Sequence, residues 1–103
     1  DGSTVRDFLY IADLVDAILS ASLMQSNEWI FNIASGQGIS LKQLVGHLES
    51  ILDRKLKIKY LKSREFDVPT NVMDISRAKE QINWTPTMPL EEGLRRLHKS
   101  LSG

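Results

Sequence analysis

Cysteine is absent from this 103-residue sequence, which excludes disulfide scaffolds and thiolate metal sites. No apolar run approaches the roughly 20 residues needed to span a bilayer, so the sequence predicts no membrane segment. Neither charge is in excess, because 13 basic residues balance 13 acidic ones. This balance argues against an overall electrostatic attraction to nucleic acid or to a membrane surface. Since a cysteine-free chain also suits a reducing compartment, we expect a cytoplasmic protein.

The hydrophobic content of 42% is sufficient for one small globular domain, and we expect residues 1–103 to form it. The only two histidines, His47 and His98, lie on different predicted helices without a second ligand at metal spacing. No serine or histidine lies in a motif for an activated nucleophile. The sequence therefore predicts neither a metal site nor a catalytic centre.

Apolar periodicity predicts an α/β fold with the order βαβαβ followed by two helices. Ser40 and Gln43 form a capping-box pattern at the start of the second helix, and Asp13 is the predicted N-cap of the first. Trp29 and Trp84 are expected to be anchors of the core. The predicted strands begin at Val5 and span 29–34 and 56–60, and the predicted helices span 13–24, 41–52, 74–83 and 89–101.

Two segments carry charges suited to an anionic ligand, and each also has a purely structural explanation. Arg6 in the first strand fits either an ion pair with Asp7 or a bound phosphate, because a guanidinium fork matches phosphate oxygens. Arg64 and Asp67, three residues apart, fit either a local salt bridge or contacts to a phosphate and to sugar hydroxyls. The glycines at 36 and 38 fit a plain turn or a phosphate loop. Local chemistry leaves these alternatives open.

In this order and spacing, several short segments resemble the C-terminal part of an extended short-chain dehydrogenase/reductase, in particular the NAD-dependent epimerase/dehydratase enzymes of nucleotide sugars. The segments are Asp1-Gly2-Ser3, Val5-Arg6-Asp7-Phe8, Asp13-Leu14-Val15, Phe31-Asn32-Ile33-Ala34-Ser35-Gly36, Ser40-Leu41, Arg64-Glu65-Phe66-Asp67-Val68-Pro69, Asp74-Ile75-Ser76-Arg77-Ala78, Trp84-Thr85-Pro86 and Leu90-Glu91-Glu92-Gly93-Leu94. The resemblance covers nearly the whole chain and implies the C-terminal substrate-binding part of a Rossmann-type epimerase.

The resemblance also implies particular roles for five residues. Arg6 and Arg64 match the two arginines at the diphosphate of the nucleotide sugar, and Asp67 matches the carboxylate that binds the ribose. Leu41 corresponds to a position near the base, and Phe8 stands where some epimerases carry tyrosine. Phe66 replaces the glycine that is common between the arginine and the aspartate, so this loop departs from the family pattern.

Two motifs of such enzymes are missing from these 103 residues, the glycine-rich NAD loop and the catalytic Tyr-x-x-x-Lys. The only tyrosines are Tyr10 and Tyr60, and neither is followed by lysine four residues later. Because the nicotinamide supplies the hydride chemistry and the tyrosine the acid/base chemistry, we expect the chain to be inactive alone and to bind no cofactor. The expected partners are a UDP-sugar and an N-terminal Rossmann domain that binds NAD in the parent enzyme.

Other functions remain open at this point. The same scaffold supports a dehydratase, a reductase or a decarboxylase of nucleotide sugars, and a free-standing, non-catalytic binding domain is a further alternative. We also expect the isolated chain to expose apolar surface and to self-associate.

Overall fold

The computed structural model describes residues 1–62 and 67–102, and it has the predicted order βαβαβ followed by two helices. The predicted α/β fold class is confirmed. The elements are β1 (Val5–Asp7), α1 (Ile11–Leu23), β2 (Gly38–Ser40), α2 (Leu41–Leu52), β3 (Thr70–Asn71), α3 (Ser76–Ile82) and α4 (Leu90–Ser102).

Strand β1 is the centre of a small mixed sheet, with β2 on one side and β3 on the other. Strand β2 runs antiparallel to β1 and places Ser40 opposite Val5. Strand β3 runs parallel to β1 and places Asn71 opposite Arg6. Because Val5 and Arg6 have partners on both sides, the backbone of β1 is fixed at these positions, and the direction of the Arg6 side chain is fixed with it.

Two of the predicted strands are wrong in position, since residues 29–34 and 56–60 belong to no strand. Within the described part of the chain, neither segment makes a backbone–backbone hydrogen bond. An apolar alternation reports which faces suit burial, whereas a strand also needs a hydrogen-bonded neighbour along its edge. The strands that do form, β2 and β3, are two or three residues long and carry too little pattern to be recognised.

Local sequence signals correctly predict the start of α2 and the end of α3, but not the start of α1. The capping box is confirmed, because Ser40 Oγ accepts from the Gln43 N–H at 3.1 Å and the Gln43 side chain accepts from the Ser40 N–H at 2.9 Å. Asn83 ends α3 in the left-handed conformation, with φ 53°. Asp13 is not the N-cap of α1, because Tyr10 occupies that position and Asp13 is the third residue of the helix.

The buried core is small and half of it is alanine. Trp84 is 3% exposed, which confirms its predicted place in the core, and its indole N–H donates to the carbonyl oxygen of Asp13 at 3.0 Å. Trp29 is 92% exposed, so its predicted place in the core is wrong. The buried cluster draws on α1, on α3 and on the segments that lead to and from them, and it consists of Ala17, Ala34, Ile75, Ala78, Ile82 and Trp84.

Helix α4 packs through its first turns only. Gly93 is buried, and a Cβ atom there would lie 2.9 Å from Cδ1 of Tyr10, so the close approach of α4 to the start of α1 requires glycine. The predicted buried stripe of leucines is wrong at its C-terminal end, because Leu97 and Leu101 are 51% and 79% exposed. None of the described helices combines the length and the apolarity that crossing a membrane requires.

Candidate functional site

Arg6 is half-buried in β1, and its guanidinium group rests on the segment that precedes β3. Its Nη1 atom donates to the carbonyl oxygens of Val5 and Val68, each at 2.8 Å. The same segment is joined to β1 by the Val5 N–H, which donates to the carbonyl oxygen of Pro69 at 2.8 Å. Within the described residues the remaining Arg6 donors have no partner, and a guanidinium group has five N–H donors. The group is therefore held in position with donors available for an anion.

Asp7 is not the ion-pair partner of Arg6, although that was one of the two open interpretations. Its Oδ1 accepts from the backbone N–H of Ser35 at 2.7 Å and from the Ser35 hydroxyl at 2.5 Å. Its Oδ2 accepts from the Gly36 N–H at 2.9 Å and more weakly from the Met73 N–H at 3.4 Å. The carboxylate thus ties the turn at 35–36 and the segment after β3 to the end of β1, which stabilises the surroundings of Arg6.

The glycine segment at 35–38 is a structural turn. Gly36 has φ 75°, a conformation that other residues rarely adopt, and it lies two residues after the buried Ala34. The N–H groups of Ser35 and Gly36 point to the Asp7 carboxylate, so they are not available to cradle a phosphate. Of the two interpretations of this segment, the described residues therefore favour the turn over the phosphate loop.

An open cleft of about 210 Å³ lies beside Arg6. Asn71 borders it from β3, directly opposite Arg6 in the sheet register. Sequence analysis did not identify Asn71, because a two-residue strand has no recognisable pattern and its pairing with β1 spans 65 positions of the chain. The cleft is lined by Arg6, Asp7, Leu9, Ile33, Ala34, Asn71 and Met73, which combine one guanidinium group, one carboxylate, one amide and apolar side chains.

Asp67 is half-buried and immediately precedes Val68, the residue whose carbonyl oxygen binds Arg6. The structure therefore brings Asp67 and Arg6 to the same region from positions far apart in sequence. Arg64, the second predicted diphosphate ligand, lies outside the described residues. The convergence of the two arginines accordingly stays a prediction.

Phe8 and Leu41, the other two predicted substrate contacts, do not line the cleft beside Arg6. Phe8 borders a different open cleft of about 470 Å³, together with Gln43, His47 and Thr87. Leu41 is the first residue of α2, where its N–H donates to the carbonyl oxygen of Thr4 at 2.9 Å, and it is 37% exposed. A contact of either residue with the same ligand as Arg6 would require that ligand to extend beyond the 210 Å³ cleft.

The buried carboxylate of Asp13 joins α1 to the connector before α4. It accepts hydrogen bonds from the Met88 N–H at 2.9 Å, the Thr87 N–H at 3.2 Å and the Thr87 hydroxyl at 3.0 Å. Burial raises the pKa of Asp13, but these three hydrogen bonds outweigh burial and hold the pKa below its ordinary value of 3.8. The carboxylate is therefore charged at neutral pH and serves a structural role.

Within residues 1–62 and 67–102, no group of three or more potential ligand side chains is placed to hold a metal ion. His47 and His98, on α2 and α4, are not brought together with other ligands of that kind. The site that the geometry supports is the cleft beside Arg6, where the guanidinium donors left free by Val5 and Val68 suit a phosphate group.

The family model described as GDP-mannose 4,6 dehydratase matches residues 1–97. Among curated proteins, the chain is 39% identical over 97 residues to a UDP-glucuronate 4-epimerase of Thermodesulfobacterium geofontis. It is 36% identical over 96 residues to a dTDP-4-dehydro-6-deoxyglucose reductase of Escherichia coli. Each match covers 93% of this chain and 30% of the relative, so the chain spans less than a third of the length of these two relatives.

Among solved structures, the chain is also similar to nucleotide-sugar epimerases. The structure of UDP-glucose 4-epimerase with UDP-glucose from Thermotoga maritima is similar at a TM-score of 0.86 and 37% identity, covering 98% of this chain and 34% of that one. The UDP-glucuronic acid 4-epimerase of Bacillus cereus, solved as a Y149F mutant with a fluorinated UDP-sugar and NAD, has a TM-score of 0.91 at 27% identity. That match covers 99% of this chain and 33% of the other.

Proposed function

Because the chain belongs to the GDP-mannose 4,6 dehydratase family of nucleotide-sugar enzymes, we propose that it is the substrate-binding portion of an NAD-dependent sugar epimerase. The substrate class is a nucleotide-diphosphate sugar, and a UDP-sugar fits best. Both solved proteins described above hold UDP-sugars, and the Bacillus cereus protein also holds NAD. The chain spans about a third of those proteins, so the epimerase activity is proposed for a longer parent protein.

The observation that carries this proposal is the position of the Arg6 guanidinium group. It lies beside a cleft, it is held at Nη1 by two carbonyl oxygens, and among the described residues it has no carboxylate partner. A cation held in this way binds a phosphate more effectively than a flexible surface arginine, because less side-chain entropy is lost on binding. We assign Arg6 to the diphosphate, Arg64 to the same group, and Asp67 to the ribose. Leu41 and Phe8 are assigned to more distant parts of the ligand.

The hydride chemistry of such a parent would be supplied by NAD, which accepts the hydride from the sugar and returns it. Among the described residues we find no group suited to the cofactor. The glycine turn at 35–36 already directs its N–H groups to Asp7, and the sequence has no Tyr-x-x-x-Lys. We therefore propose that an N-terminal Rossmann domain binds NAD and contributes the catalytic tyrosine, and that this chain contributes affinity and orientation.

A second candidate is the corresponding portion of a nucleotide-sugar reductase. The 36% identity to the Escherichia coli reductase favours it almost as strongly as the 39% identity favours an epimerase. The two differ in whether the cofactor is consumed. An assay of the parent protein distinguishes them, since a reductase oxidises NADH or NADPH stoichiometrically with substrate and an epimerase produces no net change in the cofactor.

We expect the 103-residue chain to bind UDP weakly, with a dissociation constant in the millimolar range or above. The 210 Å³ cleft is smaller than the roughly 300–1,000 Å³ of ordinary ligand sites, and a half-formed cleft lacks preorganisation. Titration monitored by amide chemical shifts is the measurement. The shifts are expected around Arg6 and Asn71, to disappear in Arg6→Ala and to persist in the control Arg95→Ala. Micromolar affinity in calorimetry, or shifts centred on the cleft beside Phe8, contradicts the prediction.

We also expect the isolated chain to self-associate, because many of its large apolar side chains are exposed. Sedimentation velocity over a range of concentrations, with a dye that fluoresces on apolar surfaces, is the measurement. A clean monomer that does not bind the dye contradicts this expectation. A monomer of that kind favours the free-standing binding domain over a portion of a larger enzyme. The cytoplasmic location expected from the sequence remains a prediction.

A further inference from the structure

Basic residues are concentrated in one segment of this neutral chain. Residues 54–62 carry five basic residues and no acidic residue, whereas the remaining 94 residues carry 8 basic and 13 acidic ones. The balanced total therefore conceals a local imbalance, and screening by salt makes a charged surface respond to the part of a protein nearest to it. We call this segment the cationic strip, and its basic residues are Arg54, Lys55, Lys57, Lys59 and Lys62.

The charges of the cationic strip are not neutralised within the structure. All five basic residues are exposed, and within the described part of the chain none of their side chains has a hydrogen-bond or ion-pair partner. Other exposed arginines differ, because a guanidinium nitrogen of Arg77, Arg95 and Arg96 lies 2.9–3.8 Å from a glutamate oxygen. The fold thus presents five unpaired cations together on one exposed segment.

Two contacts hold the cationic strip against the body of the protein. The Leu56 N–H donates to Oε2 of Glu49 at 2.8 Å. The Tyr60 ring lies over Gly2, since a Cβ atom built on that glycine would be 2.9 Å from Cε1 of the ring. The lysines at 57 and 59 lie between these two contacts and are exposed. Because the segment is held in place, less conformational entropy is lost when its charges contact a surface.

Apolar side chains lie among the cations and indicate the kind of anionic partner. Leu61 is 75% exposed and Ile58 is 43% exposed. At a lipid interface such side chains enter the boundary of the acyl chains, while neighbouring lysines keep their charges among the headgroups. Clusters of about four to eight basic residues are typical of segments that contact anionic lipids. The composition of the strip therefore suits an anionic lipid surface.

Nucleic acid fits the cationic strip less well. Proteins that bind single strands use aromatic side chains on which the bases stack. The only aromatic residue of the strip is Tyr60, and its ring lies over Gly2. The strip also lies outside the clefts beside Arg6 and Phe8, so neither cleft gives it a groove for a sugar-phosphate backbone. A lipid surface requires neither stacking nor a groove.

We propose that the cationic strip docks this protein onto an anionic lipid membrane, with its five cations among the headgroup phosphates and Leu61 in the apolar boundary. Each basic residue near an anionic membrane strengthens binding by about fivefold, and salt weakens the attraction. This docking surface does not depend on the nucleotide-sugar assignment, since the cleft beside Arg6 uses none of its residues.

Flotation of lipid vesicles with the 103-residue chain tests the proposal. We expect binding to phosphatidylcholine vesicles that contain phosphatidylglycerol, no binding to pure phosphatidylcholine, and release at about 1 M salt, where the screening length falls to about 3 Å. Lys57→Gln combined with Lys59→Gln is expected to weaken binding by about 25-fold. The matched control, Lys42→Gln with Lys99→Gln, removes the same charge from exposed positions outside the strip and is expected to change binding by less than about twofold.

Two further variants test the local charge and the apolar contact separately. Asp53 adjoins the strip and ends α2 in the left-handed conformation, with φ 54°, which asparagine also adopts readily. Asp53→Asn therefore removes a negative charge without strain and is expected to strengthen vesicle binding by about fivefold. Leu61→Ser is expected to weaken vesicle binding severalfold, because the apolar contact is lost while every charge is kept.

Five results overturn the proposal. These are failure to bind anionic vesicles, equal binding to neutral and anionic vesicles, an equal loss of binding in the Lys42→Gln and Lys99→Gln control, no effect of Leu61→Ser, and tighter binding to a single-stranded oligonucleotide than to anionic vesicles at the same salt concentration. The last of these results would identify the strip as a nucleic-acid surface.

Discussion

Trp84→Ala is expected to destabilise the chain by about 3–5 kcal/mol, the range for removing a large buried aromatic side chain. Trp84 is 3% exposed and is the bulkiest member of a six-residue core, so the cavity cannot be filled by neighbours that are largely alanine. The substitution also removes the indole N–H that donates to the carbonyl oxygen of Asp13. Urea unfolding followed by circular dichroism is the measurement.

The chain offers a matched control in its other tryptophan. Trp29→Ala removes the same atoms from a side chain that is 92% exposed, and we expect it to change the free energy of unfolding by about 0.5 kcal/mol or less. If Trp84→Ala is unfolded without denaturant, Trp84→Phe keeps most of the volume and isolates the loss of the hydrogen bond, with an expected cost of about 1–2 kcal/mol. Equal effects of the two alanine substitutions would falsify the assignment of the core.

Asp13→Asn is expected to destabilise the chain at pH 7 by about 2–3 kcal/mol, because an amide cannot accept from three donors as a carboxylate does. The Met88 and Thr87 N–H groups and the Thr87 hydroxyl bind Asp13 inside the structure, where water cannot replace it. The substitution removes the link between α1 and the connector that leads into α4. Thermal unfolding at fixed pH measures the difference, and Asp16→Asn, one turn along on the exposed side, is the control.

The same carboxylate gives a pH dependence with a definite sign. The hydrogen bonds lower the pKa of Asp13 in the folded state below 3.8, so its contribution to stability is complete above that pH and is lost as the pH falls through the folded value. Wild type is therefore expected to lose stability on acidification below about pH 4 more steeply than Asp13→Asn. Parallel curves for the two proteins in that range contradict this role of Asp13.

Features that depend on a few neighbouring residues were predictable. The capping box of α2 and the left-handed Asn83 at the end of α3 follow from residue type and spacing, because helix hydrogen bonds link residues four positions apart. The buried side of α3 follows for the same reason, since Ile75, Ala78 and Ile82 recur with the helical period. These local rules hold whether or not the rest of a larger fold is present.

The failures share a single physical cause, which is dependence on a distant partner. Residues 29–34 and 56–60 have the apolar pattern of strands but belong to no strand. Trp29 is a large apolar residue of the kind found in cores, but it is exposed. A segment pairs as a strand, and an apolar side chain is buried, only if another part of the protein lies against it. The residue pattern shows only that a segment is suited to pairing or burial. The predicted burial of Leu97 and Leu101 on α4 is wrong for the same reason.

The sequence by itself determined the α/β class, the order of the elements, the termini of α2, the C-terminus of α3, and Arg6 as a candidate for an anion. Only the tertiary structure decided that Asp7 binds the turn at 35–36 and not Arg6, that Asn71 lies opposite Arg6, and that Asp13 is a buried link to Thr87 and Met88. Helical hydrogen bonds are satisfied within one segment of chain. Apart from Val5, which adjoins Arg6, the hydrogen-bond partners of the Arg6, Asp7 and Asp13 side chains lie 28 to 75 positions away along the sequence, and only folding brings them together.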